Sequence, residues 1–139
     1  MDYYINAQET ERAAIALFDV GIYRQSVYMS CLAVELFLKS KLHMVSHEDG
    51  LERSHDIVNL YKALRTRYQP KTNFDKMITR CRKYFNESRY PYSNDISVYT
   101  KDFAGEFINF VADIKDFIDN DCMATLEDLK ERYSSDNKN

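Results

Sequence analysis

Histidine is the side chain whose charge changes near neutral pH, and the chain has three: His43, His47 and His55. His43 and His47 stand four apart, the spacing of two neighbours on one helix face. With Glu48 or Asp49 they could offer a divalent metal three ligands; they equally suit the end of a helix, where a cation meets the negative pole of the dipole. No metal is expected. His55 follows Ser54, a residue suited to start a helix, which places its imidazole to brace a neighbouring helix or to face a ligand. Arg80, Arg82, Lys83 and Arg89 are the one basic concentration. Arg89-Tyr90-Pro91 joins a fork-shaped cation, an aromatic ring and a rigid turn. Such a group can hold a phosphate or a carboxylate, or pin a helix end through its carbonyls. Arg24, Tyr28, Glu35 and Lys39 fall within an arc of about 60° at 100° per residue. They make either a polar groove or a solvated face with one Glu-to-Lys pair.

Other chemistries lack their residues. With three glycines in all, Gly21, Gly50 and Gly105, no phosphate-binding loop is present, and there is neither an HExxH pair nor a CxxC pair. Cys31, Cys81 and Cys122 are widely spaced and odd in number, which points to buried thiols acting as small hydrophobes. The formal charge of −3 gives no global attraction to nucleic acid. The N-terminus shows no signal-peptide pattern, and no apolar run reaches the roughly 20 residues that cross a bilayer. A soluble, cytoplasmic protein with no membrane contact is expected.

These residues need a scaffold, and the sequence describes one. Apolar residues make up 45% of 139, and Gly and Pro are scarce, which favours a few long elements in one domain spanning 1–139. Helical spacing marks a first helix over about 4–19, closed by Gly21, and a second over about 23–45. The second is apolar on more than one side, the mark of a helix central in its bundle. A third is expected from an N-cap at Ser54 through Tyr68. A fourth covers about 73–88, with Phe74, Met77, Cys81, Tyr84 and Phe85 inward. Residues 92–98 form a loop, and a fifth helix runs over about 99–120 on Phe103, Phe107, Phe110, Ile114, Phe117 and Ile118. Leu126, Leu129 and Tyr133 share one side of a short segment, 124–133, that docks on the bundle; residues 134–139 are a frayed tail. The fold class is all-α: an antiparallel up-and-down bundle of about five helices with a short C-terminal helix.

The order of these signals resembles the HEPN family, the "higher eukaryote and prokaryote nucleotide-binding" helical domain. Ala16-Leu17, Gly21-Ile22-Tyr23 and Ala33-Val34-Glu35 with Leu38-Lys39 resemble its opening. Ser54-His55-Asp56-Ile57 with Leu60 is similar to its His-Asp-Leu helix start, and Arg89-Tyr90-Pro91 to its Arg-Tyr-Pro turn. The likeness spans about residues 5–120. It implies a bundle of four or five helices that often forms a homodimer. It also implies work beside a minimal nucleotidyltransferase partner in toxin–antitoxin-like or defence modules. Carried across residue by residue, it points to Glu35, Lys39, His55, Arg89 and Tyr90 as the ligand-binding site, for a nucleotide or RNA, with no cofactor. The Arg-x(4–6)-His motif of the family's ribonucleases is absent: all three histidines precede residue 56, and none follows Arg80, Arg82 or Arg89. A binding module is therefore expected rather than an enzyme, and no catalytic residue is assigned. The alternatives are an RNA-cleaving member with a site rebuilt from His55 and Arg89, and a dimerisation bundle without ligand.

Overall fold

The computed structural model describes residues 2–45, 54–90 and 95–122. Helix α1, Tyr3–Asp19, begins at Asp2, whose carboxylate accepts the Ile5 N–H at 3.0 Å; this fills one of the donors a helix start leaves open. It ends in a Schellman turn. The Ile22 N–H reaches the Leu17 carbonyl at 2.9 Å and the Gly21 N–H reaches that of Phe18 at 3.0 Å. Gly21 takes φ 81°, the left-handed conformation that this turn demands and that a Cβ disfavours. The chain thereby reverses within a few residues and α2, Tyr23–Val45, packs back along α1. Small residues let the two axes approach. Ala7, Ala14, Ser26 and Ser30 are all fully buried, and the Ser26 hydroxyl donates to the Ala14 carbonyl at 2.8 Å.

Helix α2 is the axis of the molecule, as its apolar breadth predicts. It packs on α1, on α3 (Ile57–Arg65), on α4 (Asp75–Glu87) and on α5 (Lys101–Asp116). Val27, Cys31, Val34, Phe37 and Leu38 in it are wholly buried. Aromatic rings fill the two flanks. Tyr61, Phe74, Phe110 and Phe117 meet on one side, and Tyr84, Tyr99, Phe103 and Phe107 on the other, mostly edge to face.

Several boundaries differ from the sequence expectation. The N-cap of α3 is Asp56, not Ser54: the Asp56 carboxylate accepts the Val58 N–H at 3.0 Å, while the Ser54 hydroxyl accepts the Asp56 N–H. Two acceptors in tandem compete for the helix start, and the one adjoining the apolar run prevails. Helix α4 starts at Asp75, with Phe74 just outside it, and Ile78 faces inward as well. The expected loop contains a 3-10 turn, Ile96–Val98, set by the Asp95 carboxylate on the Ser97 N–H. Helix α5 begins after the Thr100 cap, and its last residues, Phe117–Asp121, widen into a π turn. The short segment 124–133, the tail, and His47, Glu48, Asp49 and Pro91 lie outside the described residues.

Cys31, Cys81 and Cys122 are free and buried. Burial pushes the Cys31 thiol well up, helped by the neighbouring Cys81, and pushes Cys122 up to about 12. All three are core atoms, and burial keeps the Cys31 and Cys122 thiols protonated at neutral pH. No described helix is long and apolar enough to cross a membrane.

Candidate functional site on the face of α2, α3 and α4

The polar stripe of α2 faces inward against α3 and α4. Lys39 Nζ sits 3.4 Å from Glu35 Oε2, and only 5% and 3% of the two residues are exposed. Charges so deep persist only when paired, because the lone ion loses its hydration without return. The sequence's alternative of a solvated Glu-to-Lys pair is thereby replaced by a buried one.

Asp56 brings the next group in. By capping α3 it fixes His55 immediately before the helix, and His55 Nδ1 lies 3.4 Å from Glu35 Oε1 and 3.5 Å from Oε2. Oε1 is buried and accepts no hydrogen bond, so the contact with it is an ion-pair distance without bonding alignment. Four-fifths of the imidazole is exposed. The other oxygen of Asp56 lies 3.3 Å from Arg82 Nη2 of α4. Lys39, Glu35, His55, Asp56 and Arg82 thus form one run of polar side chains across three helices and their caps.

Further along the same seam, α2 and α4 run antiparallel. Arg24 Nη1 donates to the Ser88 carbonyl at the end of α4. The Arg89 guanidinium lies over the Phe85 ring at 4.9 Å and the Tyr28 ring at 5.4 Å, and those rings meet edge to face at 5.3 Å. Two aromatic neighbours hold the fork flat and leave its N–H edges able to meet an anion. Tyr90 is 55% exposed beside it. Buried between the seam and the 3-10 turn, the Tyr99 hydroxyl is shifted up in pKa, first by burial and then by Glu87, against a smaller opposing effect of Arg24. The Tyr99 and Ser88 hydroxyls have no hydrogen-bond partner.

Of the five residues the sequence singled out, Glu35, Lys39 and His55 meet. Arg89 and Tyr90 sit on the same face at the other end, since Tyr28 and Glu35 are seven residues apart on α2, about 10 Å at 1.5 Å per residue. His55 finds Arg82, not Arg89, as the arginine beside its segment. Arg82 and Asp56 were therefore the residues that sequence reasoning passed over. Their signal was present in part: Arg82 belongs to the basic concentration, and Asp56 directly precedes the apolar run of α3. Arg80, part of the basic concentration in sequence, lies over Phe103 and Phe107 at 5.3 and 5.2 Å, its Nη2 2.7 Å from Glu106 Oε2. It belongs to the packing of α4 on α5. His43 meets the Tyr3 ring edge to face at 5.8 Å. Among the described residues no three His, Cys, Asp or Glu side chains converge as metal ligands.

Compared with known proteins, residues 1–121 match a family model described as HEPN domain. No curated protein and no solved structure matches the chain.

Proposed function

The chain belongs to the HEPN domain family, helical modules of nucleotide-binding and ribonuclease type, and from that premise we propose that it is a binding module rather than a nuclease. In this proposal the face of α2, α3 and α4 takes a nucleotide or an RNA phosphate. The module acts in the cytoplasm beside a nucleotidyltransferase-type protein, in a toxin–antitoxin or defence-like system. The observation that supports it most is Arg89. An exposed guanidinium held over two rings keeps its forked edge for a ligand, whereas an arginine spent on helix carbonyls, as Arg24 is, does not. The missing Arg-x(4–6)-His motif weighs on the same side. Calorimetry and thermal shift against mononucleotides and short RNA test it. Saturable binding, weakened at least tenfold by Arg89→Ala, is expected; binding untouched by that substitution would remove Arg89 from the site.

A second reading draws on a different observation. An exposed imidazole whose Nδ1 faces a buried carboxylate is the arrangement of an oriented general base. RNA cleavage by the purified protein that disappears in His55→Ala would favour this rebuilt ribonuclease over the binding module. Either way a homodimer is expected, on the family resemblance and on the exposed Ile5, Ile15, Val20 and Ile22 of α1 and its turn. A monomer by light scattering at tens of micromolar would count against it.

A further inference from the structure

We propose that the outer face of the hairpin made by α3 and α4 binds the phosphate backbone of base-paired RNA without reading its sequence. The choice of RNA rests on the binding reading above; the surface is a separate one, beside the Arg89 platform. From the Asp56 cap to Tyr90 the chain carries nine Lys or Arg against three Asp or Glu, a balance of +6. The other residues carry ten against nineteen, a balance of −9, which completes the formal −3. The basic concentration of α4 is therefore the end of a longer one that begins at Lys62. The total conceals a strongly positive hairpin in an acidic chain.

Two ion pairs set the register of the hairpin. Asp56, which caps the start of α3, meets Arg82 in the second half of α4, and Arg65, at the end of α3, meets Asp75 at the start of α4. The helices therefore run antiparallel, and Lys62 comes abreast of the first turns of α4. On α4, Ile78, Cys81 and Phe85 are buried, so Lys76 and Lys83, two turns and about 10 Å apart, hold the opposite line. Lys62, Lys76, Arg82 and Lys83 are all exposed. Lys71 and Arg80 are drawn to Asp121 and Glu106; Lys62, Lys76 and Lys83 stand outside all four of these pairs.

The surroundings select the partner. A protein partner needs an apolar centre in the contact, yet residues 57–89 are all described and every exposed one among them is polar. A single strand needs rings on which its bases stack. Here Tyr61, Tyr68 and Phe85 are buried, and the Tyr84 ring packs on Phe103 at 4.9 Å. Cations without rings or apolar surface suit a duplex, whose bases are already stacked and whose phosphates face outward.

Fluorescence anisotropy on the full chain tests this, with two RNA duplexes of about 20 base pairs and unrelated sequence, which should bind alike. Four phosphate contacts give a slope of about −3.6 in log affinity against log salt, so Kd should rise about a hundredfold between about 50 and 200 mM NaCl. Lys62→Glu/Lys76→Glu should weaken binding at least tenfold. Arg12→Glu/Lys101→Glu makes the same charge change at exposed residues outside the hairpin and should weaken it less than threefold. Equal losses in the two variants would reduce the effect to net charge and overturn the surface. So would no duplex binding at the lower salt, tighter binding of the single strand or of polyglutamate, or a DNA duplex of the same length bound at least tenfold better than RNA. Mononucleotide binding should be the same in Lys62→Glu/Lys76→Glu as in the unmodified protein, so failure of the hairpin surface and failure of the Arg89 site read out separately.

Discussion

The tightest physical constraint sits at one pair of side chains. Glu35 and Lys39 are buried together, and each makes the other's burial tolerable. Removing one leaves an uncompensated charge in the interior, which costs about 3 kcal/mol. Lys39→Ala should lose about that much in urea unfolding. The double variant Glu35→Ala/Lys39→Ala should recover a large part of it, because a neutral cavity is cheaper than a stranded ion. Strictly additive losses would show that the two charges do not act as a pair. Arg82, by contrast, is a half-exposed partner of Asp56, and surface pairs contribute about 0–1 kcal/mol. Its presence on the seam is better explained by the charge it offers than by stability.

Each element carries its own punctuation, and the α1–α2 reversal shows most plainly what one position demands. The two bonds of the Schellman turn need a residue in the left-handed region after Val20, and Gly21 is the one described residue with positive φ. Space is open there, since an added Cβ would meet only the Tyr23 hydroxyl at 3.9 Å. The cost of Gly21→Ala is therefore conformational, about 1 kcal/mol. Thermal unfolding should register it as a fall of about 3–5 °C for a domain of this size, and no loss would mean that the turn relaxes. The π turn after α5 has a different role. It places Phe117 and Ile118 in the core while turning Asp119 to the Tyr4 hydroxyl, so one widened turn serves both the packing and a tie to the start of α1.

For the molecule as a whole, buried groups that must stay protonated set an alkaline limit. Burial raises Cys31 and Cys122, and raises the Tyr61 and Tyr99 hydroxyls. A folded pKa above the unfolded one means the stabilisation is whole below the unfolded value. It is lost as pH rises toward the folded value, because the unfolded chain ionises first. For Cys122 that window runs from 9.0 to about 12. The midpoint of thermal unfolding should fall by at least about 5 °C between pH 8 and pH 10.5, with a shallower slope in Cys122→Ala. A flat profile would mean that the thiol is not held protonated by the fold.

Period and punctuation were legible without a structure. The steps of three and four in α5, the all-round apolarity of α2 and Gly21 at the reversal describe local geometry, so they gave the helices, their number and the central one. The polar stripe of α2 was legible for the same reason, as was the likeness to the family. Tertiary structure decided what the stripe faces. One helix face cannot tell a groove from solvent until its neighbours are placed, and only packing put Lys39 and Glu35 under 6% exposure with His55 beside them. It also decided which arginine joins the histidine segment and which is absorbed by rings. Arg80, Arg82 and Arg89 are alike in sequence, but their partners Glu106, Asp56 and Tyr28 lie on three different helices or their caps. Contacts between residues distant in the chain follow from how helices cross, and no local pattern encodes that.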